Sequence, residues 1–238
     1  MNFNAQQWLK TVKHTIHSDG SISVQGDVDL REQNLTKIPF KFRKVSGNFF
    51  CSHNQLTSLN GCPSSVGRDF YCQYNKLTSL NGCPSSVSGG FYCSSNKLTS
   101  LNGCPSSVGR DFSCDHNKLT SLNGCPSSVD GDFYCSFNQL TSLNGCPSSV
   151  GGDFNCSHNQ LTSLNGCPAS VSGGFNCSFN QLTSLNGCPS SVGGDFNCTD
   201  NLKDFTELDI ENAMRASRLK SRLSSQTLDT FSDIIDEL

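Results

Sequence analysis

Fifteen cysteines in 238 residues are the side chains with the most chemical scope, as metal ligands, disulfides or nucleophiles. They fall into two series. Phe-x-Cys recurs at Cys51, Cys72, Cys93, Cys114, Cys135, Cys156, Cys177 and Cys198, and Gly-Cys-Pro at Cys62, Cys83, Cys104, Cys125, Cys146, Cys167 and Cys188, each series stepping by 21 residues. Zinc frameworks pair cysteines two to four residues apart, whereas successive cysteines here are 11 and 10 apart in alternation. Cysteines of one series would stack at a Cα spacing that a disulfide could just span. Against pairing, the total is odd and both series recur in every unit; against a reactive thiol, no charged neighbour marks one for activation. The spacing therefore predicts a small buried hydrophobe stacked into a ladder, with no metal and no cofactor. His53, His116 and His158 share one repeat position but in non-adjacent units, too far apart for one metal ion. No paired acids, phosphate-cradling loop or Ser-His-Asp set has useful spacing, so no catalytic residue and no enzymatic activity are expected.

Charged residues are only 16% of the chain and hydrophobic ones 34%, yet 21 Gly and 16 Phe set it apart from a disordered segment. Net charge is −3, which argues against a nucleic-acid backbone binder. No apolar run approaches the ~18 residues of a membrane span, and residues 1–18 lack the apolar block of a signal peptide. The expectation is a soluble protein of a reducing compartment, the cytoplasm, where thiols stay free.

The repeat positions everything else. Each unit reads Phe-x-Cys-x-x-Asn-x-Leu-Thr-Ser-Leu-Asn-Gly-Cys-Pro-Ser-Ser-Val followed by three small or polar residues. Phe70 and Cys72 are two apart and share one face of a short strand. Leu77, Leu80, Cys83 and Val87 must turn to the same interior as the chain curls back. One coil cannot bury that set alone, but coils stacked at parallel-sheet spacing can, giving an array ~35–40 Å long. The Asn series (Asn54, Asn75, Asn96, Asn117, Asn138, Asn159, Asn180, Asn201) stands where the chain leaves the strand, where an amide can bond backbone groups otherwise orphaned. With 21 residues per coil there is little room for a helix on the far side, so extended, polyproline-like or 3₁₀ backbone is expected there.

This pattern fits the leucine-rich repeat, with Phe and Cys where Leu is usual. Leu-Thr-Ser-Leu-x-x-x-Pro-Ser-Ser-Val, as at 56–66 and its copies, resembles the short bacterial repeats of YopM-like and IpaH-like proteins. The array from Ser21 to Asn201 resembles more closely the repeat proteins of bacteriophage and prophage genomes. It departs from the YopM-like pattern in that Asn-Gly-Cys replaces a proline-led segment and one extra residue precedes each Phe. The resemblance implies an α/β repeat solenoid, a leucine-rich-repeat arc with a parallel sheet on its concave face. A ubiquitin-ligase domain, carried by some of those relatives, is not implied, since only 36 residues follow Leu202.

Three regions are expected: a cap at 1–45, the solenoid of about eight coils at 46–202, and a helical cap at 203–238. Asn4 should cap a helix running to about His17, with Trp8, Leu9, Val12 and Ile16 on one stripe. Ser21–Val24 and Val28–Leu30 then read as a hairpin about Gln25-Gly26-Asp27. Leu35, Ile38 and Val45 lie one step before Leu56, Leu59 and Val66, which makes the first coil a degenerate repeat. At the far end two helices are expected, near Glu207–Leu223 and Thr227–Leu238, as caps or as the contact of a homo-oligomer.

Near-identical repeats carry an internal control, because shared positions build the coil and variable ones face outward. The residue between Phe and Cys includes Phe50, Tyr71, Tyr92 and Tyr134; the residue before the ladder Asn includes His53, Tyr74, His116, Phe137, His158 and Phe179. Exposed aromatics are enriched at binding hot spots. Every Lys or Arg of the array lies early, at Arg68, Lys76, Lys97, Arg110 and Lys118, while Asp130, Asp132, Asp153, Asp195 and Asp200 follow. These rings, with Lys76, Lys97 and Lys118, form the expected protein-binding face, and the resemblance suggests a host protein as partner, with no nucleic acid and no membrane. The alternatives are a self-associating structural protein, and ice or polysaccharide binding through the Thr-Ser ladder (Thr57, Thr78, Thr99, Thr120, Thr141, Thr162, Thr183).

Overall fold

The structure, a computed structural model, describes residues 4–236, with side chains through residue 223. It is a parallel-strand solenoid of about eight turns with a short N-terminal helix and a long C-terminal one. Each coil contributes two-residue strands on opposite sides of the core. The Phe-x strands, from Val28–Asp29 to Phe196–Asn197, build a nine-stranded sheet in which Phe49 pairs with Phe70, Phe70 with Phe91 and so on in register. The 21-residue period keeps that register, and a one-residue slip would turn every Phe outward.

The far side was expected to be extended or 3₁₀. It is extended, and its Ser-Val strands also pair: three continue the N-terminal strands into a six-stranded sheet, and three form a separate sheet. The break falls at Val129, joined to Val150 by a single bridge.

The core between the sheets is the predicted set. Phe49, Phe70, Phe91, Phe112, Phe133 and Phe154 are fully buried and stack with centroids 5.3–5.7 Å apart. The Leu pairs and the Phe-x-Cys thiols from Cys51 to Cys177 fill the rest. The Gly-Cys-Pro thiols differ. Cys83, Cys125, Cys146 and Cys167 are half-buried, and each Sγ–H donates to a glycine carbonyl of the next coil at 2.7–2.9 Å.

The Asn ladder works as a coil-to-coil clamp. Asn138 Oδ1 accepts the Leu119 N–H at 2.9 Å, and its Nδ2 donates to the carbonyls of Cys114 in the preceding coil and Cys135 in its own. The same bonds recur from Asn54 to Asn201.

At the N-terminus Asn4 caps a helix as expected, its Oδ1 accepting Gln7 N–H, but α1 spans only Ala5–Leu9. The segment expected to continue it is a strand, β1 (Lys13–Ile16), antiparallel to β2 (Ile22–Gln25) across a turn at Gly20, φ 74°. The β-branched residues Thr11, Val12, Thr15 and Ile16 favour that strand over a helix. The expected hairpin between β2 and β3 (Val28–Asp29) is corrected too. β2 pairs with β4 (Phe42–Val45) and β3 with β5 (Phe49–Phe50), so β2 and β3 are opposite sides of one more coil.

At the other end one helix, α2 (Glu207–Asp236), replaces the two expected. Ser224, Ser225 and Gln226 include no glycine or proline to stop it. A capping box starts it: Thr206 Oγ1 accepts Asp209 N–H while Asp209 Oδ2 accepts Thr206 N–H. Ile210, Ala213 and Met214 pack on the last coil. The expected stripe Leu228, Phe231, Ile234 and Ile235 lies beyond the described side chains, and Leu238 outside the described residues.

Candidate protein-interaction surface

Of the thirteen residues expected on one face, the ten rings occupy two lines and the three lysines a third repeat position beside them. On the outer side of the nine-stranded sheet, Phe50, Tyr71 and Tyr92 stack at 4.9 and 4.7 Å, with the Arg31 guanidinium 4.5 Å over Phe50. Tyr134 stands beyond Ser113 in the same line. These tyrosines are half-buried and tied down. Tyr71 Oη donates to Asp69, Tyr92 Oη to Asp111 and Tyr134 Oη to Asp132 at 2.7–3.1 Å. Burial, then the bond to Asp69, pushes the Tyr71 phenol up to about 12. Those bonds give the tyrosines a part in holding the coil as well as an outward position.

The second line is more exposed. His53 stacks on Tyr74 at 4.4 Å, and His116, Phe137, His158 and Phe179 form a four-ring stack at 4.0–4.3 Å. Tyr74, Phe137 and Phe179 are 54%, 44% and 47% exposed. Every residue of this line is left-handed: φ is 51–55° at His53, Tyr74, Ser95, His116, Phe137, His158, Phe179 and Asp200. The turn out of the strand demands that conformation, which costs an L-residue ~1–2 kcal/mol and glycine nothing. Lys76, Lys97 and Lys118 are exposed two residues further on, and are ion-paired to none of the described carboxylates.

Sequence reasoning missed the acidic ladder beneath the tyrosines. Asp27, Asn48, Asp69, Asp111, Asp132 and Asp153 each accept the backbone N–H of the corresponding residue one coil on, at 2.7–3.0 Å. The recurrence of Asp or Asn just before Phe was its signal. Past Tyr134 the face becomes a groove of about 600 Å³ lined by Asp153, Asn155, Asn176, Asp195 and Asn197. Among the described residues no cluster of His, Cys, Asp or Glu could hold a metal, and no helix is long and apolar enough to cross a membrane.

No protein-family profile matches the chain, and no curated protein does. Among solved structures it is similar to YopM from Yersinia enterocolitica WA-314, with a TM-score of 0.51 and 22% identity over 74% of this chain. The fold is a leucine-rich-repeat solenoid. At that identity the likeness shows architecture alone, and the chain spans 44% of YopM's length.

Proposed function

We propose that this solenoid is a non-enzymatic protein-binding scaffold whose working surface is the ring-bearing face from Phe50 to Phe179. One observation carries the reading. The exposed rings occupy left-handed positions where glycine would be easier, yet no coil uses glycine there although the chain contains 21. Stacking returns ~0.5–1.5 kcal/mol per ring pair, which only offsets the backbone cost. Stability alone therefore gives no reason to keep them, whereas a binding face of rigid aromatics does. In its finer form the partner is a host protein in a bacterial cytoplasm, sequestered or inhibited by a phage-encoded product; the likeness of the array to phage and prophage repeats supports this.

The test is capture of partners from bacterial lysate by the wild-type chain, by Tyr74→Ala/Phe137→Ala and by Thr99→Ala. A specific partner retained by wild type and Thr99→Ala but lost with the ring variant is expected. A partner lost only with Thr99→Ala would move the working surface to the Thr-Ser ladder. A second reading, self-association through α2, is favoured by exposed Leu208 and Leu219, 64% and 53% accessible on that helix.

A further inference from the structure

The exposed ring ladder lacks one rung. His53 and Tyr74 stack, His116 through Phe179 stack, and between them the same position holds Ser95, with the same backbone, φ 53°. Phe70 pairs with Phe91 and Phe91 with Phe112, so Tyr74 and His116 stand two coils apart, ~9–10 Å on parallel-strand spacing. That is two steps of the stack, which leaves room for one planar ring with a face on each side. The serine also uncovers what lies beneath it: of the ladder asparagines from Asn54 to Asn180, Asn96 is the one that is not buried.

The charges beside the gap single out the same three coils. The residue after the ladder Asn is Gln55, Gln139, Gln160 and Gln181 on four coils and Leu202 at the end, but Lys76, Lys97 and Lys118 on the coils of Tyr74, Ser95 and His116. The acid at the gap, Asp115, is already engaged: Oδ1 accepts the Ser113 hydroxyl and Oδ2 meets His116 Nδ1. The gap is therefore an aromatic slot edged by three cations. Its walls are open, with Tyr74 54% and the His116 side chain 52% exposed. A small ring bound there would gain two faces and little else, whereas a side chain of a larger partner also brings contacts along the flanking stacks.

We infer that the gap at Ser95 receives one aromatic side chain of a protein partner, presented within an acidic segment. This rests on the protein-binding reading of the ring-bearing face and names the chemistry that face selects.

The test is a titration of the ¹⁵N-labelled chain with acetyl-Asp-Glu-Trp-Glu-Asp-amide, following the amide resonances of Ser95, Asn96 and Lys97. The comparison probes are the peptide with Ala for Trp, the peptide with Lys for its four acids, and adenosine monophosphate. Saturable shifts centred on Ser95 are expected, with affinity reduced about tenfold or more by either peptide change. Ser95→Phe, which fills the gap with a ring that six other coils already carry at this φ, should abolish them. Lys76→Glu/Lys97→Glu/Lys118→Glu should weaken them about tenfold and leaves the slot's walls intact. Binding unchanged in Ser95→Phe, equal binding of the Ala peptide, shifts centred on the Asn155–Asn197 groove, or tighter binding of the nucleotide would each overturn the slot. A lysate partner that survives Ser95→Phe but is lost with Tyr74→Ala/Phe137→Ala would overturn the slot and leave the ring-face reading standing.

Discussion

Asp69 and Gly89 belong to adjacent coils, and the carboxylate of the first fills the space that a Cβ on the second would need. The same relation holds for Asp27 and Gly47, Asp111 and Gly131, Asp132 and Gly152, and Asp153 and Gly173. Arg68 and Arg110 take that glycine's place only after Asn48 and Gly90. The Asp-to-N–H bond between coils therefore dictates composition one turn further along, and the abundance of glycine at this corner is a packing requirement.

Gly131→Ala should accordingly destabilise the array by about 1–3 kcal/mol, as overpacking does. Asp111→Gly loses the bonds to Asp132 N–H and Tyr92 Oη in its own right, but it should cost less in the Gly131→Ala background than in the wild type, since there it also removes the obstructing carboxylate. Urea midpoints for the two singles and the double measure the coupling. Strict additivity would show that the glycine is there for some other reason.

The period exposed the solenoid, its core and the Asn clamp because each depends on one residue type recurring at one position. Phe70, Cys72, Leu77, Leu80 and Val87 could be placed inside from spacing alone. The ends were less legible. Lys13–Ile16 obeys no repeat, and its strand forms because the sheet edge of Ile22–Gln25 is available to pair with it. The continuity of α2 was hidden by Ser224 and Ser225, which resemble a break but carry no helix-stopping backbone. At the candidate surface the rings were visible as variable positions. Their division into tethered tyrosines and strained, exposed rings was not, because φ at His53 and the Tyr92–Asp111 bond are tertiary facts.

Asn138→Ala should cost more than most single truncations in this chain. It strands the buried Leu119 N–H and takes one of two donors from each of the Cys114, Cys135 and Ser136 carbonyls, which keep Asn117, Asn159 and the His116 N–H. A buried donor left unsatisfied costs ~1–3 kcal/mol, so a loss of about 2–4 kcal/mol is expected once the broken bonds are added. Phe137→Ala, one residue away, should change the urea midpoint far less. Equal effects at the two positions would contradict the division between clamp and surface.

The role of α2 can be separated from self-association. Met214→Asp/Ile210→Asp places two charges against the last coil and should uncover its apolar end, producing aggregates by light scattering. Leu208→Glu/Leu219→Glu alters the opposite, exposed side. If α2 only caps the array, this second variant stays monomeric and melts like wild type. If a dimer of the wild-type chain dissociates in the second variant, the helix is an interface.

Alkali tests the thiol core. Burial pushes the thiols of Cys83, Cys125 and Cys146 up to about 12, and those of Cys72, Cys93, Cys114, Cys135 and Cys156 well above their ordinary value of 9.0. A group whose pKa is raised by folding contributes stability fully below its unfolded pKa and loses it as pH climbs toward the folded one. The folded chain holds those protons above pH 9 while the unfolded chain releases them, so stability must fall as pH rises. Each such thiol can contribute a slope of up to ~1.4 kcal/mol per pH unit. Under reductant, urea midpoints should be flat from pH 7 to 8 and drop steeply between pH 9 and 10.5. Because Tyr71 is also shifted upward and loses stability with the same sign, Cys93→Ala/Cys114→Ala supplies the control. Its neutral-pH stability should be lower, by a few kcal/mol for two small core truncations, and its alkaline slope should be shallower by the share of two thiols. A midpoint that stays level to pH 10.5, or a slope indifferent to the two substitutions, would remove the buried thiols from the account of stability.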